Sequence, residues 1–214
     1  MVPASLSPLG SGWAPRIAKV AEALGAKIRP KTAGALAAWL DLVATWNARM
    51  DLTAARGPDE LVDLMLADAI VIAPRIDSGA RIVDVGSGAG APGLALGLLR
   101  GDVRMTLVEP LQKRVAFLRT AVGTVACKNV DIVKAKADGL SPGFDVAISR
   151  ATFAPDRWLE MGTRIVPSGG SIWVLLAREF PPMLPAWRPA WGSVYRWPLT
   201  GADRSVFCYR RRPC

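Results

Sequence analysis

The residue types able to do chemistry concentrate around one stretch, Asp84-Val85-Gly86-Ser87-Gly88-Ala89-Gly90-Ala91-Pro92-Gly93. An apolar run leads into it and a helical pattern leads out, so it reads as a strand, a glycine turn and a helix. Glycines let the backbone turn sharply and let a ligand approach where a Cβ would collide. A nucleotide-type cofactor cradled by Gly86, Ser87, Gly88 and Gly90 is the natural reading, with a plain turn as the alternative. Charge then chooses the cofactor. Asp84, at the strand end, would repel a pyrophosphate but attract the ammonium of S-adenosylmethionine, an attraction worth several kcal/mol at most at ~4 Å in a partly buried site; a capping or turn acid is the alternative. Glu109 closes the next strand about 20 residues on, where a carboxylate can accept hydrogen bonds from both ribose hydroxyls, unless it is a solvated strand-end acid. Asp138 follows the third strand and could accept from an adenine amino group, or be a loop acid. Arg150 ends the fourth strand, where open α/β sheets bind ligands. It could steady a methionine carboxylate, a phosphate or a target base, or form a structural salt bridge.

The chain has no histidine, which removes Ser-His, Cys-His and His-ligated zinc mechanisms together. Cys127, Cys208 and Cys214 form no C-x-x-C pair, so neither a metal site nor a disulfide framework is expected, and a reducing, cytoplasmic setting fits. Hydrophobic residues make up 51% and the mean hydropathy is +0.25. Even so, the most apolar stretch, Leu61 to Pro74, is broken by Asp63 and Asp68 and falls short of the ~20 apolar residues of a spanning helix. The N-terminus lacks the charged start and apolar core of a secretory signal. Lys and Arg number 27 against 18 Asp and Glu, a net charge of +9. Such a balance suits a polyanionic partner: nucleic acid first, an acidic membrane second, with charge for solubility alone as the bland alternative. Lys113, Arg114 and Arg119 on one helix and Arg210-Arg211-Arg212 near the C-terminus are the candidate phosphate contacts, a solvated face being the alternative for the helical three.

These residues need elements to position them. Leu36, Trp39, Leu40, Val43, Trp46 and Met50 recur at three- and four-residue spacings, predicting an amphipathic helix over Ala33–Met50. Pro58, Asp59 and Glu60 suit the start of a second helix to Ala73, where Pro74 stops it. From Arg81 on, strands at Arg81–Val85, Val103–Glu109, Val130–Lys134, Phe144–Ser149 and Ser171–Leu176 alternate with helices at Pro92–Leu99, Gln112–Val122 and Pro155–Val166. This alternation predicts an α/β fold with an open, doubly wound parallel sheet. After Arg178, prolines exclude a long helix. Ser193–Trp197 and Ser205–Arg211 read as two closing strands. Residues 1–32 are expected to be a loose tail with room for one short helix, and 33–214 a single domain with a helical cap over 33–74.

The chain resembles the bacterial GidB-type methyltransferases that modify guanine N7 in small-subunit ribosomal RNA. The likeness spans roughly Ala38 to Arg178. It is carried by Trp46-Asn47, Leu52-Thr53, Arg56, Pro58, Glu60 and Asp68, then the glycine stretch. It continues with Lys113-Arg114-Val115, Phe117-Leu118-Arg119, Phe144-Asp145 and Ser149-Arg150-Ala151. The resemblance implies a class I, seven-stranded methyltransferase sheet with one antiparallel strand near the C-terminus. It places Gly86, Ala91, Ala137, Asp138 and Arg150 on the family's cofactor contacts, with Glu109 as the ribose acid and Arg150 as the catalytic candidate. The chain departs from the family pattern at Leu64-Met65, Leu176-Ala177 and Arg204-Ser205, where Arg-His, Lys-Gly and Arg-His are usual. Guanine N7 is nucleophilic without losing a proton, so a chain without histidine can run this reaction by alignment alone. The expected activity is methyl transfer from S-adenosylmethionine to guanine N7 of 16S ribosomal RNA by a monomer with no membrane partner. A divergent methyltransferase on another nucleic acid or a small molecule, or a binder without catalysis, are the alternatives.

Overall fold

Arg81–Val85 (β1) and Ser171–Leu176 (β5) are apolar on both sides, the pattern of strands buried between two helical layers, and all but Arg81 are buried except for minor exposure. The computed structural model describes residues 6–177, 180–182, 187 and 189–210. Between β1 and β5 lie β2 (Arg104–Val108), β3 (Val130–Val133) and β4 (Val146–Arg150); β6 (Pro189–Arg196) and β7 (Asp203–Arg210) follow. They form one seven-stranded sheet in the order β3-β2-β1-β4-β5-β7-β6. All pairs among the first five strands are parallel, and β7 runs antiparallel to both β5 and β6. The expected single antiparallel strand is therefore β7. The strand order reverses between β1 and β4, which opens the crevice in which open sheets bind ligands.

Side chains alternate between the two faces. Ile82, Met105, Leu107, Ile148 and Leu175 enter one core with the helices α1 (Ala14–Ala23), α2 (Pro30–Asn47), α3 (Pro58–Ile72), α4 (Gly93–Leu99) and α5 (Gln112–Thr124). Val83, Val85, Ala147, Ile172 and Val174 enter a second core under α6 (Pro155–Ile165) through Trp158, Leu159 and Ile165. Helices on both faces make the sheet doubly wound, as the alternation of patterns predicts.

Three expectations shift. The N-terminal stretch is no loose tail: α1 and the 3-10 turn Gly10–Trp13 before it pack into the core, with Trp13 and Val20 fully buried. Asp41 on α2 fixes this segment, accepting from Trp13 Nε1 at 2.6 Å and from Leu9 N at 2.8 Å. Trp13 and the Ile17, Val20, Ala21 spacing carried that signal; only residues 1–5 of the expected tail lie outside the described residues. The fourth strand starts at Val146 and not Phe144, because Asp145 instead takes the backbone N–H and guanidinium of Arg81. The sixth starts earlier than Ser193, at Pro189. It is an edge strand with alternate residues exposed, where proline costs no ladder bond.

The cap helices α2 and α3 are bonded to the sheet. Asp63, fully buried on α3, accepts from Leu199 N, Thr200 N and Thr200 Oγ1, the last two at 2.9 Å, and so anchors the turn between β6 and β7. Asp63→Ala would leave two backbone donors without an acceptor. It should destabilise the protein by roughly 2–4 kcal/mol in urea unfolding and speed hydrogen exchange at Leu199 and Thr200.

Candidate active site

The glycine loop is built around two buried carboxylates at the ends of adjacent parallel strands. Asp84 is 1% exposed and its Oδ2 accepts from Gly93 N, the first residue of α4, at 3.0 Å. That approach requires glycine: a Cβ at Gly93 would stand 2.6 Å from Asp84 Oδ2 and 2.4 Å from Leu107 Cδ2. Burial pushes Asp84 up to about 6, against the Gly93 N–H bond and the nearby positive charge of Arg150. Ser87 Oγ donates back to the Asp84 carbonyl at 2.8 Å, tightening the turn. Gly86 has φ +79°, and a Cβ there would lie 2.2 Å from Thr152 Oγ1 in the loop after β4.

Glu109 is 2% exposed, so the solvated reading of it fails. Its Oε2 accepts from Gly88 N and its Oε1 from Leu111 N, both at 3.0 Å. Each oxygen keeps a lone pair, yet the carboxylate also holds the loop, so replacing Glu109 by Ala would disturb the fold and not the ligand contact alone. From the cap, Trp39 Nε1 donates to the carbonyl of Ala89 at 3.0 Å, and Ala91 is buried in the same core. Asn47 Oδ1 accepts from Leu52 N and Thr53 N at 2.9 Å, which explains why the Trp46-Asn47 and Leu52-Thr53 pairs belong together.

A cavity of 260 Å³ opens beside Gly86, between Pro110 after β2, Ala137 and Asp138 in the 3-10 turn after β3, and Thr152 and Phe153 after β4. Gly86 and the pair Ala137-Asp138, about fifty residues apart in the sequence, thus line one cavity at the carboxyl ends of the strands. Arg150 lines a different, neighbouring slot of 160 Å³ together with Leu64, Asp68 and Phe153. Its Nη1 donates to Asp68 Oδ2 at 3.0 Å and to the carbonyl of Leu64. Tyr195 OH on β6 donates to the other Asp68 oxygen, and burial together with that negative charge raises the tyrosine hydroxyl's pKa. The salt-bridge alternative for Arg150 is what the geometry shows. Arg150 and Asp68 lie 82 residues apart in sequence, and Asp68 and Tyr195 lie 127 apart, beyond the reach of local patterns. Thr152, Phe153 and Trp197 were also missed; no spacing rule marks them.

The candidate phosphate contacts separate. Lys113 and Arg114, at the start of α5, border a 310 Å³ cleft with Met50, Asp51 and Leu111, and Arg119 is exposed further along the helix. Arg210 pairs in register with Ser171, the first residue of β5, and so sits at the opposite end of the sheet from the glycine loop. Arg211 and Arg212 lie outside the described residues.

Because Asp84 holds its proton up to about pH 6 when folded but only to about 3.8 when unfolded, its contribution to stability is full below about pH 4. It is lost as pH rises through 6. Asp84→Asn, which keeps an acceptor for Gly93, should therefore gain on the wild type between pH 4 and pH 8 by up to roughly 3 kcal/mol. Urea unfolding of both proteins across that range measures the difference and cancels the other titrating groups.

Among solved structures, this fold is similar to a SAM dependent methyltransferase from Aquifex aeolicus, with a TM-score of 0.53 at 17% identity over 69% of this chain and 90% of that one. It is also similar to MtNAS in complex with MTA and tNA, with a TM-score of 0.55 at 16% identity over 94% and 72% of the two chains. At such identities the likeness is one of fold. Sequence relatives are nearer. The ribosomal RNA small subunit methyltransferase G of Anaeromyxobacter dehalogenans (strain 2CP-C) is 33% identical over 92% of this chain and 96% of its own length. The protein of the same name from Myxococcus xanthus (strain DK1622) is 28% identical over 92% and 96%. Residues 33–179, well over half the chain, match the family described as GidB, rRNA small subunit methyltransferase G. By this match and by relatives above 30% identity over nearly its whole length, the chain belongs to the GidB family of small-subunit rRNA methyltransferases.

Proposed function

We propose that this chain transfers the methyl group of S-adenosylmethionine to N7 of a guanine in 16S ribosomal RNA. The observation that carries the reading is the pair of buried carboxylates, Asp84 and Glu109, flanking the glycine loop beside a 260 Å³ cavity at the switch point of the sheet. The donor set suits the methyl donor and not a dinucleotide. Asp84 offers negative charge to the methionine ammonium where a pyrophosphate would be repelled, and the free lone pairs of Glu109 face the role of ribose acceptors. Ala137 and Asp138 would border the adenine, and Gly88 leaves open space at the loop, where an added Cβ would meet nothing nearer than 3.9 Å. Ala91, Gly90 and Ser87 act by shaping that loop.

When bound, S-adenosylmethionine would supply an electrophilic methyl group, which would pass to the N7 lone pair while sulfur kept the electrons of the S–C bond. No proton moves, so the chain needs no general base, in keeping with its lack of histidine. What its residues contribute is alignment, which can by itself supply a large share of the acceleration. Arg150 is the positioning candidate: held by Asp68 and the Leu64 carbonyl, it stands between Asp84 and the neighbouring slot. The RNA would cross the loop end of the sheet, with Lys113, Arg114 and Arg119 neutralising phosphates and Arg210 remote from that path.

Labelled methyl transfer to purified small subunits and to stripped 16S RNA, with the product base identified by mass spectrometry, tests the activity; a labelled N7-methylguanine is the expected product. Absence of any methylated guanine in either substrate would leave a methyl-donor binder of other purpose. RNA affinity should fall with salt, with a log–log slope of about 0.7 per single-strand phosphate contact. Lys113→Glu with Arg114→Glu should weaken binding and flatten that slope, whereas Arg210→Glu should do neither.

A further inference from the structure

The slot of 160 Å³ beside Arg150 has one feature that packing leaves unexplained. Trp197, in the turn between β6 and β7, lines the slot and is 3% exposed. Its Nε1 is the buried side-chain polar atom that, among the described residues, has no hydrogen-bond partner. A buried N–H with no acceptor costs the full desolvation of the group, and native structures rarely leave one so. The ring is nevertheless held firmly. Arg204 lies 3.6 Å over its centroid, Trp197 N donates to the Ala202 carbonyl at 2.9 Å, and Gly201 N donates to the Trp197 carbonyl at 2.8 Å. Asp68, the carboxylate that lines the slot, is already engaged, taking Arg150 on one oxygen and Tyr195 on the other. Phe153 lines both the slot and the 260 Å³ cavity, so the two are neighbours at the carboxyl ends of the strands.

We infer that the slot receives the acceptor base and that the Trp197 indole N–H donates to O6 of guanine, selecting guanine over adenine. This rests on the proposed N7 methylation. On the edge that carries N7, guanine presents O6, an acceptor, while adenine presents an amino donor at the corresponding position. N7 itself must stay free for the methyl group, so O6 is the remaining feature of that edge to read. With adenine in the slot the indole N–H would face another donor and stay unpaired, the kind of mismatch that polar sites reject most strongly. The slot has room for one base, which must leave its stack to enter, as single-stranded RNA permits.

Trp197→Phe keeps an aromatic ring under Arg204 and removes only the donor. It should lower kcat/KM on small subunits about tenfold, the worth of one hydrogen bond, while S-adenosylmethionine affinity and Tm stay at or above wild type. A residue that merely packs would lose Tm and leave kcat/KM unchanged, which would overturn the inference. A second measurement does not depend on turnover. In 15N-labelled protein with S-adenosylhomocysteine, the Trp197 indole signal, assigned by its loss in Trp197→Phe, should shift with guanosine and inosine monophosphates, both of which carry O6. It should not shift with adenosine monophosphate. An equal shift with all three, or none with any, would refute the role. A wild type that methylates guanine without the O6-dependent shift loses the slot and keeps the activity. One that shows the shift without any methylation keeps the slot and loses the activity.

Discussion

A carboxylate buried at the end of the first strand has to be solvated by the protein itself, and much of the architecture around the switch point meets that demand. Asp84 has the Gly93 N–H, the Ser87 hydroxyl and the charge of Arg150 for company, and burial still outweighs them. The Gly93 bond forces α4 to begin close against β1, which in turn forbids a side chain at Gly93 and brings Leu107 over it. Arg150 cannot be left unbalanced at 18% exposure, so Asp68 on α3 pairs with it, and Tyr195 on β6 then satisfies the second oxygen of Asp68. The result is a line of alternating charge and hydrogen bonding from the first strand to the sixth. Removing one member of such a buried pair leaves the other uncompensated, the costly case for ion pairs.

This line explains why the helices before the sheet are part of the site. Trp39 on α2 holds the Ala89 carbonyl of the loop, Asp63 on α3 holds the β6–β7 turn that carries Trp197, and Asp68 holds Arg150. It also gives a physical reading of one departure from the family pattern. At Leu64-Met65 the Leu64 carbonyl receives the Arg150 guanidinium and Met65 is buried at 2%, so the contact Arg150 makes at this position is with the backbone. At Arg204 the cation lies on Trp197 and closes one side of the slot.

Charge on the surface divides by position in the same way. A net charge of +9 says only that a polyanion is a suitable partner. The strand directions decide which cations share a face with the glycine loop: the start of α5 follows β2 at its carboxyl end, whereas antiparallel β7 delivers Arg210 to the other end of the sheet.

The sheet, its two helical layers and the glycine loop are legible in the sequence, because these follow from local period and local chemistry. Alternation of Ile82 and Val83 between two cores, Gly86 at positive φ and Pro58 at the start of a helix are each written in a few neighbouring residues. Asp84 and Glu109 were legible as candidates for the same reason, since each ends a strand flanking the loop. Tertiary structure alone decided their state. Nothing local says that Glu109 is buried and binds two backbone N–H groups, that Arg150 is paired with Asp68, that Trp13 anchors what reads as a tail, or that Arg210 faces away from the site. Those facts depend on burial and on partners brought together from as far as 82 residues apart. A side chain's charge state and hydrogen bonds are set by what surrounds it in space, and that is fixed only when the whole sheet has closed around the switch point.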